Sequence, residues 1–276
     1  MIGWLIYSAV DVEKNKYYIQ MYKDKFKEHF IEIKLVIVEE LENMEQYVKC
    51  NKVDFAINRS RNHIMGELLE QKGVRVFNSS SVTRIANNKG ITYEFLKDVV
   101  PFLAVKYGNE IIESKIENKG FEYPYVIKSC SGHGGSQVFL VNNRKEEEQA
   151  VKAMNGQEYV VQQCCSDLGR DVRAYIIGNK IIKAVLRTST ESFKSNYSLG
   201  GKVQEYTLNN EEKAMVERIV DKLPLDYAGI DFTFHNGKAV FNEIEDAVGA
   251  RMLYQVSDID IVEMYIKHIL EQLSKE

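Results

Sequence analysis

The sequence predicts a mixed α/β and α+β protein of three consecutive parts, and two patterns support this fold class. Near the amino terminus, apolar strand-like runs alternate with helix-like runs, as they do in a parallel α/β layer. In the second half, β-rich runs follow one another across short turns, as they do in an antiparallel sheet. We therefore expect an N-terminal parallel α/β domain, a small central lid subdomain and a C-terminal antiparallel-sheet subdomain.

The N-terminal domain is expected to span residues 1–80. Helix-like segments separate its strand-like apolar runs, which occupy residues 3–9, 31–38, 53–57 and 74–77. The segment 78–81, Asn-Ser-Ser-Ser, is polar and turn-prone. This segment therefore marks a domain junction.

The central lid subdomain is expected to span residues 81–158. A strand at residues 125–128 leads into a glycine-rich loop, and a second strand at 137–141 leaves it. An acidic helix, KEEEQAVKAM, follows. The alternation predicts a compact α+β unit with a flexible loop at one end.

The C-terminal subdomain is expected to span residues 159–276. Three β-rich runs open it, and Gly178 and Asn179 form the turn between the last two. A helix around 211–223, a hairpin at 229–245 and an amphipathic helix at 258–273 follow. We expect the β-rich runs and the hairpin to join in one antiparallel sheet.

Composition excludes several classes of protein. Lysine and arginine total 36 against 40 acids, a net charge of -4, so no basic face indicates a nucleic-acid partner. The chain shows no basic leader, and its apolar runs are shorter than the roughly 20 residues that span a bilayer, so we expect a cytoplasmic protein without a membrane partner. The four cysteines lack C-x-x-C spacing, which argues against zinc and for reduced thiols.

Three carboxylates form the strongest local signal. Asp231 lies on one predicted strand, and Glu243 and Glu245 lie on the next, where residues two apart share a face. Carboxylates held this close repel unless a cation lies between them, and Mg²⁺ accepts carboxylate and phosphate oxygens. Solvated acids on an exposed hairpin are the usual alternative, but the flanking residues are too apolar for an exposed edge. The interpretation requires a three-residue turn centred on Gly237, which places Asp231 opposite Glu243.

A lysine before a glycine-rich loop forms the second signal. Lys128 ends a predicted strand, and Gly132, Gly134 and Gly135 follow in the loop. Glycines let backbone N–H groups approach phosphate oxygens, and a lysine adds a point charge. The loop is not a Walker A motif, because no G-K-[ST] follows the glycines. Alone, such a loop is more often an ordinary hairpin connection, so it gains weight only beside the three acids.

A third group of polar residues lies on neighbouring strands. Asp171, Arg173 and Arg187 are followed by Lys194 and Asn196 in a polar loop. Fixed cations suit phosphate and carboxylate oxygens. A surface salt bridge is about as common as a functional role for each residue taken singly, so only the set favours a site.

In this order, the elements resemble the ATP-grasp ligases, specifically the RimK-like and glutathione-synthetase-like branch, from Val53 onward. The resemblance rests on a lysine before the central domain, a strand lysine with a glycine-rich flap, a hinge after a strand, D-x-R, and G-[VI]-D followed by an acidic motif. It implies that ATP lies between two antiparallel sheets. The residues expected at the nucleotide are Lys89, Lys128, Gly134, Gly135, Gln162, Gln163, Cys164, Asp167, Asp171, Lys194 and Asn196.

The same resemblance implies an activity. ATP phosphorylates a substrate carboxylate, and an amine then attacks the acyl phosphate to give an amide, ADP and phosphate. Lys128 and Arg187 are expected to stabilise the transferring phosphoryl group. Asp231, Glu243 and Glu245 are expected to hold Mg²⁺, with Mn²⁺ able to replace it.

The sequence departs from the family pattern in three places. Glu245 replaces the asparagine of E-x-N, residues 246–249 replace S-P-G, and Gln163 replaces the hinge glutamate. The altered segment lies where related enzymes meet the acceptor, so substrate identity is left open. Arginines suit substrate carboxylates, although exposed loop arginines are often only solubilising; the candidates are Arg59, Arg61, Arg173 and Arg251.

The leading hypothesis is an ATP-dependent carboxylate-amine ligase acting on amino-acid or peptide-like small molecules, and family analogy favours a homodimer. Two alternatives keep the nucleotide site: a phosphotransferase with a stable acceptor, and a regulatory protein that has lost catalysis. A dehydrogenase is disfavoured because the N-terminal layer lacks a dinucleotide fingerprint.

Overall fold

A computed structural model of the protein describes residues 1–108, 121–135, 137–190, 193 and 201–275. Two of the expected nucleotide-binding residues, Lys194 and Asn196, lie outside the described residues. Within the described ranges, no helix is both long and apolar enough to cross a membrane.

The N-terminal domain is the predicted parallel α/β layer. Its strands are β1 (Ile2–Tyr7), β2 (Glu32–Ile37), β3 (Phe55–Asn58) and β4 (Arg75–Phe77), in the order β2-β1-β3-β4, and every pair is parallel. The helices that accompany them are α1 (Ala9–Val12), α2 (Lys16–Glu28), α3 (Met44–Cys50) and α4 (His63–Gln71). Two short 3-10 helices, Glu13–Asn15 and Val38–Glu40, complete the layer. The strand predictions are confirmed to within a few residues at each end.

Two helices connect this domain to the lid, α5 (Ser80–Ala86) and α6 (Lys89–Leu96). The Asn88 side chain caps α6 by accepting a hydrogen bond from the backbone N–H of Ile91, so Lys89 is the first helical residue. The Lys89 backbone N–H donates to the carbonyl of Cys130 (2.9 Å). This bond fixes the start of α6 beside the glycine-rich loop.

The lid contains an antiparallel sheet and one described helix. Its strands are β5 (Val105–Tyr107), β6 (Tyr125–Ser129), β7 (Val138–Val141) and β8 (Tyr159–Gln163), in the order β5-β8-β6-β7. The helix α7 (Arg144–Met154) packs on this sheet through Ala150 and Met154. Strand β8 was expected in the C-terminal sheet but pairs with β6. The lid sheet therefore extends to Gln163, beyond the expected boundary at residue 158.

The C-terminal subdomain contains a five-stranded antiparallel sheet. Its strands are β9 (Arg170–Ile177), β10 (Lys180–Thr188), β11 (Lys202–Tyr206), β12 (Tyr227–His235) and β13 (Lys238–Glu245), in the order β11-β10-β9-β12-β13. The described helices are α8 (Asn210–Lys222), α9 (Arg251–Val256) and α10 (Ile261–Leu273). Apolar residues of α8 pack with the sheet, whereas those of α10 join a core shared with the N-terminal domain. The two domains thus share one hydrophobic core.

The β12–β13 hairpin sets the register of the acidic residues by an unexpected route. His235 pairs with Lys238, so the turn between them has two residues, Asn236 and Gly237. Both residues have positive φ, 51° and 75°. The expected three-residue turn is therefore wrong. A β-bulge between Asp231 and Phe232 adds one residue on β13, and Asp231 still pairs with Glu243.

The segment that replaces S-P-G begins with a buried carboxylate. Asp246 is 3% exposed and accepts hydrogen bonds from the side-chain amides of Asn78 (2.6 Å) and Asn87 (3.1 Å). Burial raises the pKa of Asp246, and these amide donors oppose the shift. Asp246 therefore ties the end of β13 to the junction between the N-terminal domain and the lid.

Candidate active site

A cleft lies between the lid sheet and the C-terminal sheet. It encloses about 1070 Å³ of empty space, part of which is open to solvent. The predicted residues on its walls are Lys89, Lys128, Gly134, Gly135, Gln162, Gln163, Asp167, Asp171, Arg187, Glu243 and Glu245. Residues from five separate segments of the sequence thus meet in one cleft, at the place where the resemblance puts ATP.

Two lysines lie on the lid side of the cleft. The Nζ of Lys89 donates to the carbonyl of Gly132 (2.7 Å) and lies 3.6 Å from Oε2 of Glu243. The Nζ of Lys128 donates to Oδ1 of Asn242 (2.8 Å). Burial lowers the pKa of Lys128 to about 8, and the nearby charge of Lys89 adds to this effect, while Glu243 opposes it. An anion bound between the two lysines would offset the cost of burying the Lys128 charge and the repulsion between the two lysines.

The loop after Lys128 has the backbone freedom that a phosphate-binding flap needs. Gly134 and Gly135 adopt positive φ (62° and 77°), a region that side chains other than glycine rarely adopt. Both glycines line the cleft together with His133. The flap therefore presents backbone and imidazole groups to the cleft.

The hinge lies at the end of β8. Gln162 is 2% exposed, and its Nε2 donates to Oη of Tyr93 (3.1 Å), which donates to the carbonyl of Asn242 (2.8 Å). This chain of bonds joins the hinge to the bulge on β13. Among the hinge residues, Gln162, Gln163 and Cys165 line the cleft, and the expected Cys164 is not among the lining residues.

Asp231 is the centre of a buried ion-pair network. Its carboxylate is fully buried and accepts two hydrogen bonds from Arg173 (2.7 Å each) and one from Arg187 (2.6 Å). Arg187 also donates to both oxygens of Asp171. Burial alone would raise the pKa of Asp231, but the two guanidinium groups outweigh it and lower the pKa to about 2. The carboxylate is therefore ionised and fully engaged.

Of the three carboxylates on the hairpin, Glu243 and Glu245 reach the cleft. Their side chains are 28% and 22% exposed, and Glu245 lies 3.4 Å from Nη2 of Arg173. Burial raises the pKa of Glu245, and the charge of Arg173 opposes the shift. In the described part of the chain, no three His, Cys, Asp or Glu side chains are grouped to hold a metal ion. The expected trio lies on one face of the hairpin, but Asp231 faces arginines instead.

A second, larger cavity opens beside the flap, with about 1830 Å³ of empty space that includes open solvent. It lies between the N-terminal domain and the C-terminal sheet. All four arginines that were candidates for substrate binding line it: Arg59, Arg61, Arg173 and Arg251. His133, Gly134, Arg187 and Glu245 line both cavities, so the two spaces meet at the flap.

Three residues of the site escaped the sequence analysis. His133 lies in the flap where the cavities meet, and burial together with Arg61 and Lys89 lowers its pKa to about 4. Asn242 is the bulged residue of β13, and Tyr93 supports its backbone. The glycines on both sides of His133 were a visible signal for that residue. The roles of Asn242 and Tyr93 depend on the bulge, which the sequence pattern does not predict.

Comparisons with known proteins identify the family and the fold. The family model for the RimK-like ATP-grasp domain matches residues 94–269. The uncharacterized protein MG011 of Mycoplasma genitalium is 32% identical over 269 residues, which are 96% of this chain and 91% of that protein. A probable alpha-L-glutamate ligase of Haemophilus ducreyi is 25% identical over 206 residues, 72% of this chain and 67% of that protein. D-alanine–D-alanine ligase of Bacillus anthracis complexed with ATP has a TM-score of 0.78 at 16% identity and covers 100% of this chain and 98% of its own, so it shares the fold.

Proposed function

The chain belongs to the RimK-like ATP-grasp family, and from this premise we propose that it joins a carboxylate to an amine at the expense of ATP through an acyl phosphate. The observation that carries the proposal is the junction of the two cavities. A nucleotide-sized cleft with paired lysines meets an arginine-lined cavity at the flap, at Arg187 and at Glu245. A γ-phosphate in the first space and a carboxylate in the second would meet there.

The nucleotide would lie between the two antiparallel sheets. Lys89 and Lys128 would neutralise its phosphates, and the flap backbone at Gly134 and Gly135 would approach their oxygens. The hinge at Gln162 and Gln163 would meet the adenine. Asp167, also on the cleft wall, would lie nearest the ribose, whereas Asp171 is held by Arg187 and would lie towards the phosphates.

Charge balance supports a divalent cation with the nucleotide. In and beneath the cleft wall there are four carboxylates, of Asp171, Asp231, Glu243 and Glu245, and four cations, of Lys89, Lys128, Arg173 and Arg187. These four anions and four cations cancel, so the triphosphate of ATP needs counterions of its own. Carboxylates with phosphate oxygens are the ligands that Mg²⁺ prefers. The donor set therefore fits Mg²⁺, with Mn²⁺ as a substitute.

Glu243 and Glu245 would hold that cation, since both reach the cleft. Asp231 would become a third ligand only if one of its hydrogen bonds from Arg173 or Arg187 broke. The cation would supply charge neutralisation at the transferring phosphoryl group. The rest of the chemistry depends on the side chains of the chain and on the exclusion of water.

The proposed reaction has two steps. A substrate carboxylate oxygen attacks the γ-phosphorus, the bond from that phosphorus to the β-γ bridging oxygen breaks, and ADP leaves. The amine nitrogen then attacks the acyl carbon, phosphate leaves with the C–O electron pair, and the nitrogen loses a proton. Arg187 borders both spaces and would stabilise the negative charge in each step, while the flap would exclude water from the acyl phosphate.

Hydroxylamine trapping tests this proposal. With Mg-ATP and a mixture of candidate carboxylates, an acyl phosphate is converted to a hydroxamate, which mass spectrometry detects. We expect hydroxamate to form in proportion to ADP. Release of ADP with a stable phosphorylated acceptor and no hydroxamate would instead identify a phosphotransferase, and nucleotide binding without ADP release would identify a regulatory protein.

The lowered pKa of Lys128 predicts that nucleotide binding depends on pH. Because its pKa is about 8, the ammonium that attracts phosphate is present below that pH and lost above it. We expect the Kd for Mg-ATP to rise by roughly tenfold between about pH 7.5 and 9. Replacing Lys128 with arginine, which stays charged, should remove this rise.

Calorimetric titration at several pH values measures the effect. Lys213→Arg is the matched control, because Lys213 is exposed on α8 and should keep the rise. A wild-type Kd that does not change across this range would show that Lys128 does not contact the phosphates in its charged form.

A further inference from the structure

The floor of the second cavity contains a buried guanidinium without an acidic partner. Arg59 is 5% exposed, its Nε donates to Oη of Tyr7 (2.9 Å), and its Nη2 donates to the carbonyl of Val248 (2.7 Å). Within the described ranges, Nη1 of Arg59 has no hydrogen-bond partner and no carboxylate lies within ion-pair distance of the group. The rings of Tyr7, Tyr18 and Tyr227 lie 5.1–5.9 Å from its guanidinium carbon, but they carry no full negative charge, so the site favours an anion.

The nearest acids are engaged elsewhere. Asp246 interacts with Arg59 only through space, because its oxygens accept from the amides of Asn78 and Asn87. Asp11, on the cavity wall, pairs with Arg61 at 2.5 Å. Arg59 is therefore available to a carboxylate that arrives with a ligand.

One part of the cavity wall is aromatic and apolar, while Lys14 and Arg251 also line the cavity. The Tyr18 ring lies 5.1 Å from the Arg59 guanidinium carbon, and Met21 and Tyr254 line the same cavity. Tyr254 is 37% exposed although it borders a cavity, so its ring offers surface that a ligand could cover. The surface formed by Tyr18, Met21 and Tyr254 suits an apolar or aromatic side chain better than a second carboxylate.

The reactive part of the cavity is the part that borders the nucleotide cleft. Arg187 and Glu245 lie there, where the cavity meets the nucleotide cleft. A ligand whose carboxylate is held at Arg59 would direct its other end towards this junction. For an α-amino acid or the residue at a peptide carboxyl end, that carboxylate is not the group that reacts.

We propose that the second cavity, beyond the junction where the reacting carboxylate would meet the γ-phosphate, binds the amine substrate as an amino acid or short peptide with an apolar or aromatic side chain. Its unreacted carboxylate would lie on Arg59 and its side chain on Tyr18 and Tyr254. This inference rests on the proposed function, because it assigns the amine site of that reaction. It differs from a glutamate acceptor, which would place a second carboxylate against Tyr18 and Tyr254.

Calorimetry on the full chain saturated with Mg²⁺ and a non-hydrolysable ATP analogue tests the inference with three probes. We expect L-phenylalanine to bind roughly tenfold more tightly than L-phenylalaninamide, which lacks the carboxylate. We also expect it to bind roughly tenfold more tightly than L-glutamate, which lacks the apolar side chain. Equal affinity for phenylalanine and its amide, preference for glutamate, or no binding of phenylalanine would overturn the inference.

Variants assign the two contacts. Arg59→Met should abolish the difference between phenylalanine and its amide, whereas Arg84→Met, an exposed control outside both cavities, should keep it. Tyr254→Ala, at a partly exposed position, should weaken phenylalanine several-fold and leave the acid-to-amide ratio unchanged. The wild-type ratio and Tyr254→Ala decide the matter even if Arg59→Met does not fold.

The same titrations separate this inference from the proposed function. Binding of the nucleotide analogue is measured first. If the analogue does not bind, both the proposed function and this inference are overturned. Normal nucleotide binding and hydroxamate formation, combined with no discrimination among the three probes, would leave the ligase proposal standing and overturn only the assignment of the amine site.

Discussion

Replacing Asp231 with asparagine is expected to lower the free energy of unfolding by roughly 3–5 kcal/mol. The reason is that the carboxylate is fully buried and accepts three hydrogen bonds from Arg173 and Arg187. Asparagine keeps the shape but removes the charge, and it leaves two buried guanidinium groups with too little negative charge between them. Arg187 keeps Asp171, and Arg173 keeps only Glu245 at 3.4 Å.

Urea unfolding followed by circular dichroism measures this loss. Asp221→Asn, at an exposed position of α8, is the control and should leave the midpoint unchanged. The pKa of Asp231 is lowered to about 2, so its contribution is complete above its ordinary pKa and is lost only as the pH falls through about 2. The difference between wild type and variant should therefore stay constant from about pH 5 to 8. An unchanged midpoint for Asp231→Asn would show that the arginines do not depend on it.

The expected loss of stability gives Asp231 a structural role in place of the metal-binding role that the acidic motif predicts. Taken from the sequence, Asp231 is a metal ligand equivalent to Glu243, and its loss should affect turnover without affecting the fold. In the structure the carboxylate lies under the cleft wall and holds the two arginines. The charge pattern of the hairpin was visible in the sequence, but the partners of each acid depend on which strand lies next to β12.

Sequence periodicity predicted the strands of this region well and their neighbours less well. Asp231 pairs with Arg173 because β12 lies between β9 and β13, and no local pattern specifies that order. Strand β8 has the same β-rich composition as β9 and β10, so composition could not assign it to the lid sheet. The hydrogen bonds of a strand, unlike its propensity, are decided by long-range packing.

The hairpin shows the same limit at the level of single residues. The Asn-Gly turn is a strong local signal, and it forms as a two-residue turn. The bulge at Asn242 then corrects the register, because buried residues on both sides of it, Phe241 and Ile244, must face the core. Neither the turn nor the pairing alone would have revealed this compensation.

The arginines of the second cavity come together only in the folded chain. Arg59 and Arg251 are far apart in sequence, and an exposed loop arginine is usually uninformative. They line one cavity because the loop after β3 and the start of α9 both face the end of β13. The tyrosines between them carry no motif, so only the three-dimensional arrangement indicates an apolar side-chain site.

Replacing Glu243 with glutamine should have the opposite profile from Asp231→Asn. Glu243 is 28% exposed, and its one described ion pair, with Lys89, spans 3.6 Å, so its loss should cost little stability. If Glu243 holds the cation that accompanies ATP, the neutral amide removes a charged ligand from the transferring phosphoryl group. We expect ADP release to fall by about 10²-fold or more, with an unfolding midpoint close to that of wild type.

Two matched variants separate the metal role from simple loss of charge. Glu217→Gln, exposed on α8, should leave ADP release unchanged. Glu245→Asn restores the asparagine of the family pattern and should retain most of the activity, because an amide oxygen can still ligand Mg²⁺. Titration with Mg²⁺ at fixed ATP should show a raised metal requirement for Glu243→Gln and not for Glu217→Gln. Wild-type turnover and an unchanged Mg²⁺ requirement in Glu243→Gln would remove Glu243 from the metal site and leave the carboxylates of the hairpin with an electrostatic role in holding Arg173 and Lys89.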